Sequence, residues 1–224
     1  MIRRTLPIAS LVVIALLIAI AVTVGSMLPV DLPLPTHWGL SGEPDRFSNK
    51  WIALLIPVLI VAPVSLLMYA LPAIEPRKQG MERSQVLYLS AWAGMLLMGL
   101  LIQLAVISVA FRWPVHGTSF VLVGVGLMFI LIGNQLGKSR STYLMGIRTP
   151  WTLASEEVWM RTHRLGGKLM AGGGILLLLV AFAPIPSGLI ATLLLAVTAV
   201  VGVVPVVYSY LLWRRERVSG QPGA

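Results

Sequence analysis

Long apolar segments constrain this chain more than any other feature of its sequence. Apart from Lys168 at the start of the fifth, they contain no charged residue and no histidine, and they cover residues 5–28, 51–72, 86–111, 119–136, 168–184 and 187–213. A helix of roughly 20 apolar residues crosses the hydrocarbon core of a bilayer. It also satisfies its own backbone hydrogen bonds there. The pattern predicts an all-α integral membrane protein, a bundle of six transmembrane helices.

The composition is typical of a membrane protein, since 57% of the 224 residues are hydrophobic and only 11% are charged. A net charge of +9 would suggest nucleic acid in a soluble protein. In a membrane protein, however, Lys and Arg collect in cytoplasmic loops. We therefore expect the lipid bilayer, and not nucleic acid, as the direct partner. The chain has no cysteine, which excludes disulfides and thiolate metal sites.

The distribution of Lys and Arg predicts the orientation of the bundle. If the N-terminus is cytoplasmic, most of the 17 basic residues fall on the cytoplasmic side, namely Arg3, Arg4, Arg77, Lys78, Arg83, Lys138, Arg140, Arg148, Arg161, Arg164, Lys168, Arg214, Arg215 and Arg217. Only Arg46, Lys50 and Arg112 fall outside. The positive-inside rule then predicts a multipass protein of the bacterial plasma membrane with both termini in the cytoplasm.

Two long polar connections indicate the domain organisation. Residues 1–72 are expected to form a two-span unit around an extracytoplasmic loop at 29–50. Residues 73–224 are expected to form a four-span unit around a cytoplasmic loop at 137–167.

The outer loop is rich in proline and glycine, which predicts a compact, structured loop. Its candidate recognition residues are His37, Trp38, Glu43 and Asp45. His37, Glu43 and Asp45 are also weak candidates for a metal site, because zinc accepts nitrogen and oxygen ligands. The alternative is that these polar groups bond the loop's own backbone while Trp38 anchors it in the membrane interface.

In the cytoplasmic loop, Ser155 is a plausible N-cap with Glu156 in the first helical turn, and Gly166-Gly167 resembles a helix end. This predicts a short amphipathic helix from 156 to 165 that lies along the membrane surface, with Trp159 at the interface. Trp159 and His163 share one face of it, since they are four residues apart.

The same loop holds the strongest candidates for a binding site. Arg148, Thr149 and Trp151 surround a proline and combine a fork-shaped donor, a fixed turn and a stacking surface. The full candidate set for ligand or partner binding is Asn134, Arg148, Thr149, Trp151, Trp159, His163 and Arg164. The alternative interpretation is that Arg148 and His163 only hold the loop together.

Two blocks of sequence resemble the Sdp immunity (SdpI) family. The outer block comprises Leu34–Trp38 and Gly42–Asp45, and it is similar to the small domain of unknown function that often precedes the family's main region. The inner block comprises Gly133-Asn134, Gly146–Leu153, Val158-Trp159 and Thr162–Arg164. The resemblance implies a membrane protein that confers resistance to a secreted peptide toxin and recruits a cytoplasmic repressor. It implies neither a catalytic site nor a cofactor.

Two other functions stay open on the sequence alone. Spans without charge would suit a carrier or flippase for a neutral or lipid-like molecule. A membrane metalloenzyme would have to use His37 or His163.

Overall fold

The computed structural model describes residues 2–218. In chain order, its elements are α1 (Ile2–Met27), β1 (Pro33–Trp38), β2 (Pro44–Asn49), α2 (Lys50–Ile74), α3 (Lys78–Arg83), α4 (Gln85–Ala110), α5 (Gly117–Leu136), α6 (Pro150–Ala154), α7 (Glu156–Ala181) and α8 (Ser187–Val218). Six of the helices, all except α3 and α6, are long and apolar enough to cross a membrane. The predicted six-helix membrane bundle is confirmed.

The connections between consecutive long helices lie at the two ends of the bundle. The hairpin end carries the β1–β2 hairpin together with the α4–α5 and α7–α8 turns. The loop end carries residues 75–84 and 137–155. Helix α4 packs against α1, α2 and α5, while α7 packs against both α5 and α8. The α4–α5 contact therefore joins an N-terminal group of helices to a C-terminal group.

The outer loop is structured as predicted, but its structure is an antiparallel strand pair that runs from Pro33 opposite Asn49 to Trp38 opposite Pro44. Leu34 turns its side chain into the bundle, where it is 1% exposed and packs with Ala21 and Leu54. Proline is tolerated because a two-stranded ribbon consists of edge strands, whose outward N–H groups need no partner.

The short surface helix predicted at 156–165 is wrong in its end and in its position. Helix α7 does begin at Glu156, and Ser155 caps it by accepting a hydrogen bond from Val158 N at 3.2 Å. It then continues without interruption to Ala181, so it forms the start of the fifth span. Trp159 is fully buried in protein and does not lie at the membrane interface.

Gly167, one of the two glycines that were interpreted as a helix end, serves close packing between α5 and α7. A Cβ on Gly167 would lie 2.6 Å from the backbone oxygen of Gly133, and one on Gly174 would lie 2.5 Å from that of Gly126. Both helices thus carry two glycines seven residues apart, which face each other across the contact. Small residues allow this approach in membrane bundles. Within the glycine run at 172–174, Gly174 lies at this contact, whereas Gly172 has open space around it.

Candidate functional site

Residues 137–155 form an ordered segment at the loop end, and we call this segment with the residues that hold it the loop-end site. Its central anchor is Glu75, which is 1% exposed. One carboxylate oxygen accepts hydrogen bonds from Arg77 N at 2.9 Å and Tyr143 N at 3.1 Å, and the other accepts from Leu144 N at 2.8 Å. A single carboxylate therefore joins the end of α2 to the middle of the segment.

Residues after α2 make further contacts with the same segment. The Arg77 guanidinium donates to Ser141 Oγ and lies 4.3 Å from the centre of the Tyr143 ring. Ser84 Oγ accepts from Arg140 N at 2.9 Å and donates to Arg140 O at 3.3 Å. These bonds tie the α2–α4 connection to the α5–α7 connection, so the two halves of the bundle meet here.

His163 holds the segment from the side of α7. Its ring stacks on Trp159 with centroids 3.9 Å apart. Nε2 accepts from Ile147 N at 2.8 Å, so the ring proton is on Nδ1, which donates to Trp159 O at 2.7 Å. Both ring nitrogens are thus used in a neutral imidazole. The ring is also fully buried, so in this arrangement His163 orients the segment.

Gly146 fits against this pair of rings for two reasons. Its φ is +96°, a conformation that residues with a Cβ rarely adopt. A Cβ there would also lie 2.5 Å from His163 Nε2 and 2.9 Å from the Trp159 ring. The buried rings therefore require glycine at this position.

Thr149 starts helix α6 with a capping box. Thr152 N donates to Thr149 Oγ1 at 3.1 Å, and Thr149 N donates to Thr152 Oγ1 at 2.9 Å. Thr149 Oγ1 also lies 3.1 Å from Ser209 Oγ of α8. Both threonines are buried, which makes this turn a fixed joint between the segment and the last helix.

Trp151 is half-buried and forms an aromatic cluster with α8. Its ring centroid lies 5.1 Å from that of Tyr210 and 6.3 Å from that of Trp213. The Arg217 guanidinium lies 4.4 Å from the Trp213 ring centre, which extends the cluster toward the end of α8.

The structure thus separates the predicted inner residues into two groups. Thr149, Trp159 and His163 are buried and hold the segment in place. Asn134, Arg148 and Arg164 are exposed, and Arg148 Nη1 donates to Tyr143 O at 2.6 Å. Only the exposed residues and part of Trp151 can contact another molecule.

At the opposite end, the predicted outer residues form two separate pairs. His37 Nδ1 lies 2.6 Å from Asp45 Oδ1, and Glu43 lies 3.8 Å from His116 Nδ1, with all four side chains about half exposed. Among residues 2–218, no three His, Asp or Glu side chains gather as a metal site. The weak metal candidates His37, Glu43 and Asp45 are therefore not brought together.

Trp38 connects the hairpin to the helices. Its ring lies against Gly117, where a Cβ would be 2.9 Å from the indole Nε1, and that nitrogen is buried without a hydrogen-bond partner. Trp38 therefore packs on the protein at the start of α5.

Sequence reasoning missed several residues that build the loop-end site: Glu75, Arg77, Ser84, Thr152 and Ser209. Glu75 carried a usable signal, because it is an isolated acid directly after a span and before a proline. The others carried none, since single Ser, Thr and Arg residues are common. Thr152 pairs with the nearby Thr149, and the partners of the rest are distant in sequence.

Comparison with known proteins finds a matching family for each of two regions of the chain. Residues 138–209 match the SdpI/YfhL protein family, and residues 11–61 match DUF1648, a domain of unknown function. The Immunity protein SdpI of Bacillus subtilis (strain 168) is 25% identical over 175 residues, which are 78% of this chain and 81% of that protein. No solved structure matches the chain. The resemblance to the SdpI family, with its preceding domain, is confirmed.

Proposed function

We propose that this chain is an immunity protein of the bacterial plasma membrane that protects its cell against a secreted peptide toxin. One observation carries the proposal: the similarity to Immunity protein SdpI extends over 78% of the chain. The two family matches also include the hairpin and most of the loop-end site. The excess of Lys and Arg at the loop end supports a cytoplasmic location for that end.

In this proposal the hairpin is the surface that meets the toxin outside the cell. His37, Glu43 and Asp45 present exposed polar groups there, and Trp38 fixes the hairpin against α5. The strand pair gives these groups a defined arrangement, which favours recognition of one partner over many.

The loop-end site is the proposed cytoplasmic contact surface, and a repressor is its proposed partner. Arg148, Arg164 and Trp151 supply exposed guanidinium groups and an aromatic surface, the residue types enriched where proteins bind one another. Helix α7 runs from this site to the hairpin end through 26 residues, about 39 Å. Toxin-dependent recruitment would require two arrangements of the bundle with different affinity for the repressor.

A protection assay tests this function. A sensitive bacterium expresses the wild type, R148A/R164A or the control R214A/R215A, which removes the same charge from exposed positions of α8, and is challenged with a sporulation-delay-type peptide toxin. We expect the wild type and the control to survive, and R148A/R164A to lose protection at equal membrane abundance. Death of the wild type would contradict the immunity function, whereas survival of all three strains would contradict the role given to Arg148 and Arg164.

A carrier for neutral small molecules is the second candidate, and Gln103 favours it. Its side chain is 1% exposed within span α4, and neither amide atom has a hydrogen-bond partner among the described residues. Unpaired polar groups are costly in a membrane interior and often serve a function there. Solute flux into proteoliposomes that stops in Q103L would support a carrier. Absence of flux with the wild type would argue against a carrier, and equal flux in both proteins would argue against a role for Gln103.

A further inference from the structure

A basic cleft of about 780 Å³ opens at the loop end between α3, the start of the 137–155 segment and the first turns of α7. Four cations line it, and the carboxylate of Glu156 is the single acidic group of the lining. The cleft lies directly after the end of span α2 and before the start of span α4. It is therefore at the level where a bilayer's hydrocarbon gives way to lipid phosphates.

Two of the cations already have partners. Arg77 donates to Ser141 Oγ and to Tyr143 Oη, and Lys78 Nζ donates to the carbonyl oxygens of Pro72 and Ala73 at 2.9 and 2.8 Å. These two side chains hold the protein together, although their charges still add to the positive potential of the cleft.

The other two, Arg83 and Arg140, are exposed, and their guanidinium groups have no hydrogen bond or ion pair in the part of the chain that the structure describes. Glu156 lies within 4.0 Å of neither. The two guanidinium groups thus carry ten N–H donors, and none of these donors has an acceptor within the described residues.

The positions of these two arginines are fixed by their backbones. Ser84, the neighbour of Arg83, makes the reciprocal pair of hydrogen bonds with the backbone of Arg140. Gly80 of α3 packs so closely on the Ser141 carbonyl that a Cβ there would overlap it. Two cationic side chains from separate segments are therefore held at one cleft, where an anion that binds between them would offset their mutual repulsion.

We propose that this cleft binds a phosphate group through Arg83 and Arg140. The planar guanidinium group donates paired hydrogen bonds to phosphate oxygens. The carboxamide and hydroxyl groups of this cleft cannot supply that geometry. The phosphate belongs to an anionic phospholipid head group or to a soluble phosphate compound, and the position of the cleft at the end of two spans favours the lipid. The site is separate from the proposed immunity function and is tested without a toxin.

Native mass spectrometry of the full chain in uncharged detergent, with added phosphatidylglycerol, tests the lipid source. Diacylglycerol, which lacks phosphate, is the lipid control. We expect R83Q/R140Q to bind phosphatidylglycerol at least about tenfold more weakly than the wild type, since the variant loses the charge-assisted hydrogen bonds of both guanidinium groups. R214Q/R215Q, which removes the same charge from α8, should bind as the wild type does. R83K/R140K keeps the charge without the forks and should bind with intermediate strength, which provides a second variant if the first does not fold.

Titration of inorganic phosphate into the same proteins, followed by calorimetry, tests the soluble source. Binding that R83Q/R140Q alone abolishes, for either ligand, supports the phosphate site and identifies its source. The proposal is overturned if the wild type binds neither ligand, if R83Q/R140Q binds as the wild type does, or if R83Q/R140Q and R214Q/R215Q weaken binding equally. The last result would show that only net charge matters.

Discussion

The Glu75 carboxylate is the side chain on which the loop-end site depends most. It accepts three backbone N–H groups, and its charge strengthens each bond. In Glu75→Gln one acceptor oxygen becomes a donor that faces a backbone N–H. We expect a loss of about 1–3 kcal/mol in stability, seen as a lower unfolding temperature in detergent.

Glu82→Gln provides the matched control for that change. Glu82 is exposed on α3, and its side chain forms no hydrogen bond or ion pair within residues 2–218. Limited proteolysis should cut the 137–155 segment faster in Glu75→Gln than in either the wild type or Glu82→Gln. Equal cleavage of all three proteins would mean that the segment does not rely on this carboxylate.

Gly146→Ala tests the contact between the segment and the His163 ring. The added Cβ meets Nε2 at 2.5 Å and the residue would keep a φ of +96°. Because strain and overlap act together, we expect a cost of about 2 kcal/mol or more, seen as a lower unfolding temperature. Gly172→Ala is the control, since nothing lies within 4 Å of its Cβ position and alanine favours a helix. An equal unfolding temperature for the two variants would refute this account of Gly146.

At the scale of elements, the contact between α5 and α7 depends on backbone atoms that approach through glycine. Gly174→Ala places a Cβ 2.5 Å from the Gly126 carbonyl oxygen, which no side-chain rotation can relieve. The helices must separate, at a cost of roughly 1–3 kcal/mol. Gly202→Ala on α8, where the Cβ position is open, should be neutral or stabilising. Thermal unfolding of both variants in the same detergent checks this, and equal midpoints would show that the bundle adjusts without cost.

The same contact explains what the sequence could and could not reveal about the elements. The six spans follow from long apolar runs, which is a local signal. Gly166-Gly167 was misinterpreted as a helix end because glycine has two uses, and only the partner helix shows which applies. The outer loop was predicted to be compact, but its two strands were not predicted. The register of these strands depends on the burial of Leu34 in the bundle, which the sequence alone does not show.

The candidate site shows the same division. The motif residues around Gly146–Trp159 were predicted because they are unusual in a loop and resemble a family. Only the structure shows that Thr149 and His163 are buried and that Arg148 is exposed. Ser84 was missed since its partner Arg140 lies 56 positions away in the chain, and a long-range hydrogen bond leaves no trace in a single sequence. Glu75 carried a local signal as an isolated acid after a span, but that signal does not identify its partners 68 and 69 positions away.

At the scale of the whole molecule, orientation decides which partner each end can meet. The chain has no cysteine, so single cysteines report on one position each. Leu40→Cys lies in the hairpin at a side chain that is 72% exposed, and Lys138→Cys lies at the exposed start of the loop-end segment. Because basic residues stay in the cytoplasm, a membrane-impermeant maleimide should label Leu40→Cys in intact spheroplasts and Lys138→Cys only after permeabilisation. The wild type, which should not react, controls for background. The reverse pattern would put the loop-end site outside the cell, so that Arg148 and Arg164 could meet the toxin but no cytoplasmic repressor.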